Sequence, residues 1–406
     1  MSTQTLQRPR LFPLFPARRP AKPFLEALRQ AEYGQLTMIT PEGERLEFTG
    51  AKLGPSAHMR LYDWKALEAL IARGEIGFAD AYIDRKWDSN DLPALLTYGL
   101  QNTESLEHFF HGRPLYALWV TLCNRLSPNS VSGSRRNIMA HYDLGNDFYS
   151  LWLDKSMTYS CALFEGDASR SLEEAQQAKY HRILGKLAAS PGEHILEIGC
   201  GWGGFAEAAA KAGLRVTAIT LSLEQADYAR ERIKCAGLDH LATIKLIDYR
   251  EVKQCFDHIV SIGMFEHVGE KYWPVYFDCV KHCLKPGGKA MIQSITLDDR
   301  LFETLHDYTG FIEYYIFPGG MLPSKSRFRA AAEKAGLRCK EIFGFGQDYA
   351  RTLRHWLQRF DAHADTIRAL GYDEPFMRLW RFYLASCIAS FDSRRTDVMQ
   401  AEVMHG

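Results

Sequence analysis

The residues best placed to do chemistry begin at Glu197. In Glu197-Ile198-Gly199-Cys200-Gly201-Trp202-Gly203-Gly204-Phe205, glycines sit where a strand-like run gives way to the alanine-rich run Ala206 to Ala212. Glycines at such a strand-to-helix turn let backbone approach a ligand that a Cβ would exclude, and the following helix N-terminus favours negative charge. The turn alone fits any nucleotide, a dinucleotide included.

Three further runs narrow the choice. Thr220-Leu221-Ser222-Leu223-Glu224-Gln225 offers polar groups to a ribose, with no acid at the strand tip itself. Asp248-Tyr249-Arg250 supplies an aromatic face for adenine with polar edges beside it. Gly263-Met264-Phe265-Glu266-His267-Val268-Gly269 puts chemistry-bearing residues where an α/β sheet opens its crevice. Together these favour S-adenosylmethionine over NAD and resemble a class I methyltransferase core. The expected cofactor contacts are Glu197, Gly199, Gly201, Gly203, Thr220, Ser222, Gln225, Tyr249 and Arg250.

The elements that must position these residues follow from periodicity. Strand-like runs at His194 to Gly199, Arg215 to Thr220, Thr243 to Asp248, Phe256 to Gly263, Lys289 to Thr296 and Cys339 to Phe345 alternate with helical ones. That alternation predicts an α/β, Rossmann-like, mostly parallel sheet covered on both faces. Ser171 and Glu174 form a capping box opening the helix before the first strand. Upstream, Phe24 to Tyr98 predicts a smaller α+β unit: a helix, a hairpin (Leu36 to Thr40, a Pro41-Glu42-Gly43 turn, Leu46 to Thr49) and helical periodicity through Trp64, Leu67, Leu70 and Ile71. The polar stretch 127–137 divides this unit, 1–126, from a catalytic domain, 138–406. Arg8 to Lys22 carries five positive charges and no acid. Pro9, Pro13, Pro16, Pro20 and Pro23 forbid a regular helix there, so 1–23 is expected to be an extended basic arm, solvated or touching lipid phosphates.

Composition excludes several classes. Lys plus Arg and Asp plus Glu are both 49, so no global field draws the chain to nucleic acid. Nine cysteines without paired spacing argue against disulfides and a zinc site, and no metal is expected. Without a long apolar run or a signal-like N-terminus, the expected location is the cytoplasm.

The blocks His141-Tyr142-Asp143-Leu144-Gly145-Asn146-Asp147-Phe148-Tyr149, Met157-Thr158-Tyr159-Ser160-Cys161, the glycine turn with Trp202, Phe265-Glu266-His267-Val268-Gly269 and Tyr315-Ile316-Phe317-Pro318-Gly319-Gly320 resemble the cyclopropane fatty acid synthases. These are relatives of the mycolic acid cyclopropane synthases, and the likeness runs from about Asn137 to Phe391. It implies transfer of a methyl(ene) carbon from S-adenosylmethionine to the cis double bond of an unsaturated phospholipid acyl chain. It also implies work at the inner face of the membrane, and a homodimer. Cofactor contacts carry over to Tyr159, Ser160, Gly199, Gly201, Thr220, Gln225, Tyr249 and Arg250. A bicarbonate ion, as base, carries over to Cys161, Glu266, Tyr349 and the backbone of Ile295. Gln293 stands where the family has a histidine. Cys387 matches a cysteine sometimes designated the active residue.

The chemistry explains the requirement. An alkene attacks a sulfonium methyl only when both are held in line in a dry pocket. The positive charge left on the lipid is stabilised by aromatic faces, for which Tyr142, Phe148, Phe265, Tyr308, Tyr314 and Phe317 are candidates. Ring closure then needs a base. Glutamine can donate a hydrogen bond but cannot carry charge as histidine does, which opens a branch to a methyl-branched or methylene product. Each residue has a plainer reading: Glu266 as a strand-end acid, Cys161 as a small packed residue, Met157, Trp202 and Trp356 as core. Cys387, on an apolar helical run with Phe382, Leu384 and Ile388, reads as core because no step demands a thiolate. The rival functions are a small-molecule N- or O-methyltransferase and a lipid-binding protein without chemistry.

Overall fold

The structure, a computed structural model, describes residues 21–110, 144–305 and 308–406. Tyr142, the stretch 127–137 and nearly all of the basic arm lie outside those residues. The first part builds α1 (Ala21–Leu28), β1 (Tyr33–Ile39), β2 (Arg45–Thr49), β3 (Lys52–Leu61), α2 (Lys65–Ile83), β4 (Trp87–Asp88), α3 (Leu92–Gln101) and α4 (Thr103–Phe110). Its sheet runs β2-β1-β3-β4. The expected hairpin is present, with Leu36 opposite Phe48, and β3 returns parallel to β1. The expected break at Pro23 needs correction. The helix starts at Ala21 and contains Pro23 in its first turn, where a missing N–H removes no intrahelical bond. α2 bends sharply at Gly74, whose φ of 61° and ψ of −145° are open to glycine alone.

The second part contains α5 (Asn146–Trp152), α6 (Leu172–Leu187), β5 (His194–Ile198), α7 (Gly204–Lys211), β6 (Arg215–Thr220), α8 (Leu223–Cys235), β7 (Ala242–Leu246), β8 (Phe256–Ile262), α9 (Trp273–Cys283) and β9 (Leu284–Leu297). It continues through α10 (Asp299–Leu305), α11 (Phe311–Tyr315), α12 (Lys325–Lys334), β10 (Leu337–Gly344), α13 (Gly346–Ala362), α14 (Ala364–Ala369), α15 (Glu374–Asp392) and β11 (Thr396–His405). The seven-stranded sheet is ordered β10-β11-β9-β8-β5-β6-β7. The five strands β7, β6, β5, β8 and β9 pair in parallel, and Ile195, Leu196, Ile259 and Val260 are completely buried, as a sheet covered on both faces requires. The capping box at Ser171 and Glu174 is formed.

β11 was not expected from the sequence. It inserts antiparallel between β9 and β10. Its buried face includes Gln400 and Glu402, so hydropathy alone does not mark it as an interior strand. Gln400 is satisfied there by Arg182 at 2.8 Å and Gln293 at 3.0 Å.

The two sheets are tied through α15. Arg378, 6% exposed, donates to the carbonyls of Tyr82 (2.6 Å) and Trp87 (3.1 Å) and pairs with Asp88 at 3.2 Å. α11 is gripped from the same side, its Phe311 N–H donating to Glu75 at 2.7 Å and its Tyr315 hydroxyl to Asp80. Among the described residues no helix is long and apolar enough to cross a membrane.

Candidate active site

Strand order reverses direction between β5 and β8, and ligands of open α/β sheets bind at that switch, beyond the strands' carboxyl ends. A cavity of about 140 Å³ lies there. Gly199, with φ of 83°, turns the chain off β5, and a Cβ on it would meet Met264 at 3.0 Å. A Cβ on Gly204 would meet the Tyr180 hydroxyl at 2.7 Å. Glu197, Gly199, Gly201, Thr220, Gln225, Tyr249, Tyr159 and Ser160 all line this cavity. Met157 and Trp202, read as core, are indeed buried and line it as well.

Three expected contacts do other work. Gly203 caps α7 in a left-handed conformation, and a Cβ there would crowd Ala229 at 3.0 Å, so this glycine lets α7 and α8 approach. Ser222, fully buried, caps α8 by accepting from the Gln225 N–H at 3.3 Å. Arg250 is turned back onto Asp248 through two bonds of 2.8 and 2.6 Å. None of the three lines the cavity.

The second cavity, about 600 Å³, runs along the first part of the chain. Its walls include Phe24, Leu36, Met59, Phe78, Leu95 and Leu106 at one end and Cys161, Glu266, Gln293, Ile295 and Tyr349 at the other. Tyr159, Ser160, Gly263 and His267 belong to both cavities and form the doorway between them.

Glu266 is 6% exposed, carried on a short helical turn after β8. Its Oε1 accepts the Ile295 N–H at 2.7 Å, while its buried Oε2 has no hydrogen-bond partner among the described residues. Burial raises its carboxyl to about 7, against the opposing pull of the Ile295 N–H. The Ile295 amide is therefore given to Glu266, and any hold it has on an anion acts through that carboxylate. Gln293 accepts from Gln400 at 3.0 Å. Cys161 is 1% exposed, and burial pushes its thiol well up. An unsatisfied carboxylate oxygen beside amide, hydroxyl and thiol donors fits a small ion that both donates and accepts, as bicarbonate does.

The aromatic candidates divide. Phe317 and Tyr308 line the large cavity. Phe148 does not. It is fully buried among Trp152, Phe360, Tyr372, Phe376 and Trp380, in core whose truncation costs about 3–5 kcal/mol. Phe265 likewise packs into Trp273, Tyr276, Phe277 and Phe328, because its side chain points away from the crevice that Glu266 faces. Tyr314 stands against Tyr315 at 4.8 Å and is absent from the cavity wall. Their place is taken by Tyr159 and Tyr383, whose hydroxyls meet at 2.7 Å, and by Tyr349.

Cys387 is part of the cavity wall, where burial pushes its thiol up to about 12. A thiol raised in this way is a poor nucleophile at neutral pH. His267 was the residue the sequence reading passed over. It adjoins Glu266, lines both cavities and is held neutral, its ring lowered to about 4 by burial.

Comparison with known proteins agrees with this geometry. The family model described as mycolic acid cyclopropane synthetase matches residues 130–401. The chain is 37% identical over 382 residues to the tuberculostearic acid methyltransferase of Mycobacterium tuberculosis, covering 92% of this chain and 88% of that one. It is 37% identical over 357 residues to the cyclopropane-fatty-acyl-phospholipid synthase of Escherichia coli, covering 86% and 88%. Among solved structures, a mycolic acid cyclopropane synthase complexed with SAH and CTAB superposes with a TM-score of 0.61 at 32% identity, over 66% of this chain and 98% of that one.

Proposed function

This chain is a methyltransferase of the mycolic acid cyclopropane synthetase family, and we propose that it places a one-carbon unit from S-adenosylmethionine on the cis double bond of an unsaturated phospholipid acyl chain. The observation that carries the reading is the shared wall of Tyr159, Ser160, Gly263 and His267 between the small cavity at the strand ends and a larger, mostly apolar one. A small-molecule N- or O-methyltransferase has no use for the second cavity.

S-adenosylmethionine, when bound, supplies an electron-poor methyl group on sulfur, and bicarbonate, when held by Glu266, Cys161, Gln293 and Tyr349, supplies a proton acceptor. The protein's own groups do the rest. The apolar walls exclude water and align the chain, so that little of the barrier is left to chance encounter. Tyr159, Tyr349, Tyr383 and Phe317 turn aromatic rings towards the carbon that becomes positive, each worth about 2 kcal/mol when desolvated. Glu266, with one carboxylate oxygen left without a hydrogen-bond partner among the described residues, would hold that ion and could take up the proton it collects. The substrate lies in a bilayer, so the protein works at a membrane surface.

A second product reading has support of its own. Gln293 is tied to Gln400 as a carboxamide pair, which carries no charge to hold an anion. One similar protein is named a methyltransferase and not a ring-forming synthase. Slower proton removal would allow a 1,2-hydride shift to move the positive charge to the methylated carbon, from whose methyl group the proton is then lost to the base to give a methylene chain. A saturated methyl branch would further need a hydride donor to reduce it. Purified protein, S-adenosylmethionine and oleoyl-phospholipid vesicles test both. Upfield ring-methylene signals in the proton spectrum establish a cyclopropane, olefinic methylene signals establish the branch, and no carbon gained by the lipid refutes the function.

A further inference from the structure

Lys179 lies on α6 behind the doorway and has no accessible surface. Its Nζ donates to the Ser160 hydroxyl oxygen at 2.6 Å. One helical turn away on the same face, Gln176 donates to the Ser160 carbonyl at 2.9 Å and to the Thr158 carbonyl at 3.4 Å. α6 thus clamps residues 158–160, which line the cofactor cavity, and Ser160 lines both cavities.

A buried ammonium needs an anion, since an uncompensated one is costly. Among the described residues no carboxylate stands within ion-pair distance of Lys179. The groups that act on it are Cys161 and Asp154 from the segment before Ala162, and Glu197 from β5. Asp154 is engaged with the Ser156 and Thr158 amides at 2.9 and 3.3 Å. Burial raises the Glu197 carboxyl well above the carboxylate range, and it makes no ion pair with Lys179. Burial lowers Lys179 to about 7, although the Tyr180 ring stands 4.8 Å from its Nζ.

Thr220, Gln225 and Tyr249 line the cofactor cavity and suit a nucleoside, which would leave Tyr159 and Ser160 to meet the cofactor's amino-acid tail. We propose that Lys179 is a positioning residue that fixes the Ser160 hydroxyl so that its proton faces the carboxylate of the cofactor's amino-acid tail, with the ammonium charge behind that bond. This rests on the cofactor reading above. Lys179 lines neither cavity and acts through Ser160.

The test compares two ligands by calorimetry on the full chain: S-adenosylmethionine, and methylthioadenosine, which has the same nucleoside and sulfur but no amino-acid tail. Lys179→Met keeps the length of the side chain and removes the charge; Ser160→Ala removes the hydroxyl. Each is expected to weaken S-adenosylmethionine about tenfold while leaving methylthioadenosine within twofold, and the double variant to lose no more than either alone. Methylthioadenosine binding also certifies that the variants are folded. Lys179→Met with unchanged affinity for S-adenosylmethionine, or with equal loss for both ligands, overturns the proposal. Wild-type protein that bound neither ligand would instead sink the cofactor reading on which it rests.

Discussion

Replacing Glu266 with glutamine should make the protein more stable and nearly inactive. The amide keeps a carbonyl oxygen for the Ile295 N–H, held at 2.7 Å in the native site, so β9 stays attached to the turn after β8. What the substitution removes is a charge. The carboxyl titrates near 7 in the fold against 4.5 ordinarily, and the cause is burial. A carboxyl raised on folding contributes stability that is complete below its unfolded value and is lost as pH rises through the folded one. Between about pH 4.5 and pH 7 the native protein thus gives up about 3 kcal/mol, at 1.36 kcal/mol for each tenfold change in proton affinity. Glutamine gives up none of it. Thermal unfolding of both proteins at pH 5 and pH 8 should show near-equal midpoints at the first and a higher midpoint for Glu266→Gln at the second. Turnover of S-adenosylmethionine with oleoyl-phospholipid vesicles should rise through pH 7 in the native protein, as Glu266 ionises, and be lower by about 10²–10³ in the variant. Equal stability at pH 8 would refute the burial argument, and native-like turnover would refute the role given to the carboxylate.

Glu75, half-buried on α2, is raised to about 7 by burial and by Glu313. Glu75→Gln keeps an acceptor for the Phe311 N–H, so the variant should unfold at a higher temperature than native protein at pH 8 and at the same temperature at pH 5. Gly199→Ala puts a side chain at φ of 83° and 3.0 Å from Met264, with backbone strain of about 1–2 kcal/mol; calorimetry should show S-adenosylmethionine affinity down by tenfold or more. Cys387→Ala should keep turnover within about threefold, because a thiol pushed up to about 12 carries no charge to lose; a hundredfold drop in the same vesicle assay would restore it as a functional residue.

Much of the site was legible because local chemistry fixes it. A glycine at Gly199 is demanded by a positive φ and a close approach, and a capping box at Ser171 by an unpaired helix terminus, whatever the rest of the chain does. The order of strand and helix runs was likewise enough for the α/β class, because a parallel strand needs a crossover between it and the next. Side-chain direction was not legible. Phe265 and Glu266 are adjacent, yet one packs into Trp273 and Phe328 while the other faces the cavity. Only the turn geometry after β8 separates them. β11 was hidden because its buried polar residues are satisfied by partners far away in sequence, Arg182 and Gln293 among them. Lys179 was hidden for a related reason: its composition and spacing are those of a surface helix residue, and only the packing of α6 against 158–160 removes it from water. Sequence sets what each residue can do, and the tertiary structure decides which of them meet, because burial and contact across long separations are properties of the packed chain and not of any segment.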